Sequence, residues 1–281
     1  MPLALAVLLP LLAQVGPVGT PIPAPLEIPR KRTQAAAPSA LPEPPKRFGE
    51  CLDAAAAATD DAVTTAQAWQ QVAKGAERSW AAQCLGNAYN FLGRWAEAEA
   101  AFLTARDAAP VDFPARRAAL GAMAGRAAFD AGAYERSDAA LLQAHSDALR
   151  TGRAALSGSL AIQRALPLVA LKREIEAAKV LDEGRRSAPE DPQGWLLSAT
   201  LARRQGDLKQ AQTWIERAAD LLPEDPEIGL EAGAIAVLSG HEAAARKSWQ
   251  SVIAVSPESE FARRAQSYLD QLGAAAAPSA Q

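Results

Sequence analysis

The chain has 281 residues, 49% hydrophobic and 5% aromatic, with a formal net charge of −3. Abundant Ala and Leu with few aromatics favour closely packed helices over a sheet protein rich in Val, Ile and Thr. A charge so near neutral excludes the strongly basic surface usual in nucleic-acid-binding domains, so no nucleic-acid partner is expected. Residues 1–13, MPLALAVLLPLLA, form an apolar run of signal-peptide length, too short to span a bilayer and interrupted by Pro10. Small residues suit cleavage after Ala13 or Gly16, so residues 1–16 are expected to be a signal peptide that sends the protein to the periplasm or otherwise out of the cytoplasm. No Lys or Arg precedes the run, which departs from that pattern, and retention in the cytoplasm is the alternative. No Cys follows the run closely, so no lipid anchor is expected, and no integral membrane span is expected elsewhere. Residues 17–47 read as a Pro-rich disordered linker, because Pro17, Pro21, Pro23, Pro25, Pro29, Pro38, Pro42, Pro44 and Pro45 break any helix. At ~3.1 Å per residue such a segment reaches on the order of 100 Å. Arg30, Lys31 and Arg32 within it read as a solvated charge cluster.

From residue 48 the texture changes to apolar residues at helical spacing, punctuated by Gly and Pro, with a period of 34. A degenerate helix pair over 48–78 precedes units at 79–112, 118–151, 158–191, 192–225 and 226–259. The 79–112 unit carries Leu85, Gly86, Tyr89, Gly93, Ala98, Phe102, Ala105 and Pro110 at unit positions 7, 8, 11, 15, 20, 24, 27 and 32. The 118–151 unit keeps Ala124, Gly125, Gly132, Leu141 and Ala144, and the 158–191 unit keeps Ala177, Leu181 and Pro189. In the latter, Lys172 stands at the turn where Gly is expected and Pro167 lies inside the first helix, so irregular geometry is expected there. The 192–225 unit has Trp195, Gly206, Asp207, Ala211, Ala218 and Pro223; the 226–259 unit has Gly233, Gly240, Ala245, Trp249 and Pro257. Residues 113–117 are expected to extend the following helix, with Pro114 near its first position, and residues 152–157 to form a longer connection. Residues 260–272 read as a capping helix with a buried stripe of Phe261, Ala265, Leu269 and Leu272, closing a repeat domain of residues 48–273. The tail, 274–281, is expected to be disordered.

The pattern has a physical logic. Gly at position 15 can take φ > 0 and end the first helix. Small residues at positions 8 and 20 let two helices approach closely, and Pro at position 32 stops the second helix. A single helix pair cannot bury its own apolar face, but stacked pairs can.

These residues resemble the tetratricopeptide repeat over most of 79–259, with one departure: Ala82 stands where the family favours Trp, and Trp80 lies two residues earlier. The resemblance implies an all-α, right-handed superhelical solenoid of tetratricopeptide-type helix pairs with a C-terminal capping helix. It also implies a partner, another protein or peptide, held in a concave groove lined by the first helix of each unit. Unit positions 2, 5, 9, 12 and 13 commonly face that groove. Carried over, they give Trp80, Gln83, Asn87, Asn90 and Phe91; Ala122, Arg126 and Phe129; and Thr200, Arg203 and Arg204. Arginine suits a carboxylate or acidic segment, and the groove around Asn87, Arg126 and Arg203 is expected to carry binding.

Cys51 and Cys84 are separated by 33 residues, almost one period, so they fall at equivalent positions on adjacent first helices. In an exported protein a disulfide between them is favoured; two buried thiols are the alternative. No Cys-x-x-Cys is present, and two cysteines with His145 and His241 far away do not make a zinc site. His145 is expected half-buried or at the surface, and His241 exposed in the turn after Gly240. His241 and Glu242 begin a string like a helical zinc motif, but Ala245 stands where its second His must be. Phosphate-binding, nucleophile-elbow and dinucleotide motifs are missing. No enzyme activity, cofactor or metal is therefore expected. The leading reading is a non-enzymatic protein–protein interaction scaffold exported to the cell envelope. The alternatives are a cytoplasmic adaptor binding peptide tails, and an envelope hydrolase or small-ligand carrier with a pocket the sequence does not display.

Overall fold

A computed structural model describes residues 43–276; the expected signal peptide, residues 17–42 of the linker and residues 277–281 of the tail lie outside the described residues. The described chain is a run of thirteen helices. They are α1 (Lys46–Ala56), α2 (Asp60–Val72), α3 (Glu77–Phe91), α4 (Trp95–Ala108), α5 (Pro114–Asp130), α6 (Tyr134–Leu149) and α7 (Ala154–Ala170), then α8 (Glu174–Ser187), α9 (Pro192–Arg204), α10 (Leu208–Leu221), α11 (Pro226–Leu238), α12 (Glu242–Val255) and α13 (Glu260–Ala276). Each odd-numbered helix from α3 to α11 packs on the next helix, and the pairs stack in chain order as an all-α solenoid.

Local chemistry sets the helix ends. Asp191, Asp207 and Asp225 cap α9, α10 and α11, their carboxylates accepting from the backbone N–H of Gln193, Gln210 and both Glu227 and Ile228. Pro114, Pro192 and Pro226 occupy first-turn positions where a missing N–H costs nothing. Residues 152–157 do not form a longer connection: α7 begins at Ala154, because Ala, Leu and Ser there carry no helix-breaking feature and simply lengthen the first helix. Pro167 lies buried inside α7, which continues to Ala170 although the carbonyl of Gln163 loses its helical partner.

The turn at Lys172 has regular geometry, contrary to expectation. Lys172 takes φ 61°, and its flanking hydrogen bonds run from Lys172 N to Val169 O (3.0 Å) and from Arg173 N to Leu168 O (2.8 Å). The Gly132 turn makes the same two bonds, Gly132 N to Phe129 O (2.9 Å) and Ala133 N to Ala128 O (2.8 Å). The stacked repeats on either side impose the turn, and lysine accepts the left-handed strain that glycine avoids.

Small residues set the helix spacing. Position 20 is Ala98, Ser137, Ala177, Ala211 or Ala245, each fully buried. Position 8 faces position 24 across each pair, and the aromatic residues at position 24 face glycine. A side-chain carbon added to Gly86 would meet the Phe102 ring at 2.6 Å, and one on Gly125 would meet Leu141 at 2.6 Å. Gly233 likewise lies against Trp249. Where position 8 is alanine, as at Ala165 and Ala199, position 24 is aliphatic, Leu181 or Ile215, and not aromatic.

The core is a series of clusters. One lies under α1–α6, one under α7–α9, one under α9–α11 and one under α11–α13, where Ala265 and Leu272 are buried and Phe261 and Leu269 pack beside them. Buried carboxylates tie neighbouring helices together. Asp147 of α6 accepts from Arg106 of α4 (2.8 Å) and lies 3.6 Å from Arg117 of α5. Asp138 of α6 receives Arg164 of α7 (2.9 Å) and Arg173 (3.1 Å). At the N-terminal end Cys51 of α1 and Cys84 of α3 are buried at disulfide distance, with Cα atoms 6.1 Å apart.

Candidate functional site

The first helices α3, α5, α7 and α9 line a trough made of connected cavities. The first, of about 400 Å³, lies between α3 and α5 and is lined by Trp80, Gln83 and Arg116, together with Glu43 and Pro44. Gln83 Nε2 lies 3.9 Å from Met123 Sδ, which leads to the second cavity, of about 280 Å³, lined by Asn87, Asn90, Ala122, Met123, Arg126 and Gln163. Arg126 and Gln163 also line a smaller cavity with Phe129 and Leu166. Those last two open onto a fourth, of about 280 Å³, walled by Val169, Leu181, Leu197 and Leu201, with Thr200 and Arg204 beside them. From first to last the lining changes from a cation on an aromatic ring, through amides, to an apolar pit.

The structure brings Trp80, Gln83, Asn87, Asn90, Ala122, Arg126, Phe129, Thr200 and Arg204 to this trough. Two candidates stand apart. Phe91 ends α3 with 52% of its surface exposed. Arg203 is held by both carboxylate oxygens of Glu231 on α11 (2.6 and 3.1 Å) and so presents no open fork to a ligand. Arg126 is also paired, with Asp130 one turn on (2.9 Å), but this pair is exposed and screened by water. Arg204 has no ion-pair partner among the described residues.

Several lining residues lie outside the candidate set. Met123, Gln163 and Leu197 all occupy unit position 6, one place beyond the position used for the carry-over. Leu166 and Val169 are positions 9 and 12 of the 158–191 unit, and carrying the same positions onto that degenerate unit finds them. Arg116 sits in the five-residue insertion at 113–117, outside any unit, and has no such signal.

His145, expected half-buried or at the surface, is buried on α6, with Nε2 3.1 Å from a Glu183 carboxylate oxygen. His241 is exposed before α12. Among the described residues no group of three or more His, Cys, Asp or Glu is placed to hold a metal, and no helix is long and apolar enough to cross a membrane.

No protein-family model and no curated protein sequence matches the chain. Solved structures do. TTC0263, a thermophilic TPR protein of Thermus thermophilus, superposes with a TM-score of 0.54 at 18% identity, covering 68% of this chain and 98% of that one. The chain has the fold of a tetratricopeptide-repeat (TPR) solenoid. PilF of Pseudomonas aeruginosa resembles this TPR solenoid with a TM-score of 0.56 at 16% identity, over 79% of this chain and all (100%) of the other. MamA of Desulfovibrio magneticus RS-1, from residue 41 on, does so with a TM-score of 0.51 at 16% identity, over 65% and 97%. At these identities the likeness speaks for the fold.

Proposed function

We propose that this TPR solenoid is a non-enzymatic scaffold that holds a segment of another protein along the α3–α9 trough. The observation that carries the reading is the continuity of the trough. Four cavities share lining residues or touch through Gln83 and Met123, and an extended segment can follow them without leaving the surface of the first helices. The apolar pit around Phe129 and Leu197 suits one large apolar side chain as anchor, and the amides of Asn87, Asn90 and Gln163 suit a peptide backbone. A photo-reactive side chain placed at Asn90 or Thr200 should cross-link a partner in the native host, while one at Leu142, exposed on the second helix α6, should not. Equal adducts at all three positions, or none in the trough, would end this reading.

The same proposal places the protein outside the cytoplasm, with the apolar N-terminal run removed and Cys51 and Cys84 joined. It is supported by the signal-peptide character of residues 1–16 and the approach of the two cysteines. Intact mass of the protein from its own host, with and without reductant, tests both parts. Loss of about 13–16 residues and a gain of ~2 Da on reduction are expected. A full-length mass unmoved by reductant would return the protein to the cytoplasm with two thiols.

A further inference from the structure

Most arginines tucked into the array meet a carboxylate. Arg106 and Arg117 reach Asp147, Arg164 reaches Asp138, and Arg203 reaches Glu231. Arg116, half-buried on α5, has no ion-pair partner among the described residues. Burial alone acts on it and lowers its pKa to about 10. A half-buried cation without a counter-charge carries a desolvation cost that its other contacts must offset.

Three neutral groups nonetheless fix it. Nε and Nη2 donate to Ser79 Oγ (3.2 and 3.0 Å), and Nη2 also donates to Gln83 Oε1 (3.1 Å). The guanidinium carbon stands 3.3 Å from the centroid of the Trp80 ring, which is itself backed by Phe48 at 4.8 Å. Two of the three nitrogens are thus occupied, and Nη1 donates to no acceptor among the described residues. The side chain lines the first cavity of the trough, a space of about 400 Å³.

We propose that Arg116, oriented by Ser79, Gln83 and Trp80, is a carboxylate-binding site at the α3–α5 end of the trough, and that the bound segment presents an Asp or Glu side chain to Nη1. The inference rests on the trough being the partner site and adds the charge of the occupant. One open nitrogen suits a single carboxylate oxygen. A phosphate dianion fits less well, because Glu43 lines the same cavity and would repel it more strongly. Glu43, the carboxylate in that lining, is also an internal competitor for Arg116.

Fluorescein-labelled, C-terminally amidated hexaglutamate, titrated into the full chain at low salt and followed by anisotropy, tests the site. Saturable binding is expected. Arg116→Gln should weaken it about tenfold or more, the effect of losing a charge-assisted hydrogen bond, while the chain stays folded by circular dichroism. Glu43→Gln should bind at least as tightly as the native chain. Arg186→Gln, a change at an exposed arginine of α8, should leave binding unchanged. The proposal is overturned if the native chain does not bind hexaglutamate, if Arg116→Gln binds as well, if Arg186→Gln weakens binding equally, or if inorganic phosphate competes as strongly as unlabelled hexaglutamate. Trough cross-links at Thr200 with no hexaglutamate binding remove the carboxylate site and leave the trough standing. Hexaglutamate binding lost in Arg116→Gln, with no trough cross-links, does the reverse.

Discussion

Gly86→Ala separates packing from helix propensity, because the two push in opposite directions. In an isolated helix the change is worth about 1 kcal/mol in favour of alanine. Here the added carbon would stand 2.6 Å from two ring carbons of Phe102, a side chain 2% exposed. Ordinary carbon contact is ~3.5 Å, so the α3–α4 pair must part by about 0.9 Å or the ring must leave its rotamer. Overpacking of this kind costs about 1–3 kcal/mol, so a net loss of about 1 kcal/mol is expected after the propensity gain. Phe102→Leu alone should also destabilise, through the space it leaves. The double variant reproduces the alanine–leucine combination of Ala165 and Leu181, and should recover at least about 1 kcal/mol relative to the sum of the singles. Urea titration of the full chain by far-ultraviolet circular dichroism, with m compared across the four proteins, gives the cycle. A Gly86→Ala chain more stable than the native one, or strictly additive effects, would refute the argument that the Phe102 ring needs glycine opposite it.

Further outcomes follow from other sites. Lys172→Gly relieves a left-handed lysine and should raise stability by about 1 kcal/mol, less whatever glycine adds to unfolded-chain entropy; a fall in the thermal midpoint would mean the turn is not strained. Asp147→Asn leaves Arg117, 13% exposed, without its counter-charge and Arg106, 12% exposed, with only the exposed Asp107, and should cost roughly 3 kcal/mol, whereas Arg116→Gln, which breaks no ion pair, should cost clearly less; equal losses would contradict the pairing assigned to these arginines. With Cys51 and Cys84 joined as proposed, Cys51→Ser should lower stability by roughly 3–4 kcal/mol in the chain-entropy model, with faster amide exchange confined to α1–α3. Exchange that rises evenly to α13 would argue that the pair does not staple the N-terminal end.

The repeat was legible because its cues are local. Gly93, Gly206 and Gly240 each mark a turn, and prolines mark where helices stop or start. The exceptions show what local cues omit. Lys172 reads as a fault because propensity reports the cost of a conformation, while its neighbours on both sides supply more than that cost. Residues 152–157 read as a loop because they fall between periods, yet nothing in Ala154, Ala155, Leu156 or Ser157 resists a helix. At the site, Asn87, Asn90 and Arg126 sit at regular positions and share a cavity. Arg203 sits at an equally regular position, but Glu231, 28 residues on, takes its guanidinium. Arg116 depends on Trp80 and Gln83, 36 and 33 residues away, and on an insertion that breaks the period, so no periodic argument reaches it.

The division of the core into successive clusters also sets what a bound segment would do mechanically. The α1–α6 cluster and the α7–α9 cluster meet at a seam bridged by buried Ala118, Ala144, Ala148 and Leu160 and by Asp138, which is clasped by Arg164 and Arg173. The trough runs across that seam, from Gln83 on α3 to Thr200 on α9. A segment seated along its length would therefore act as a splint. It would join the two blocks by a second route, beside the bridge already under the seam, and the filled solenoid would be stiffer than the empty one at its middle rather than at its ends.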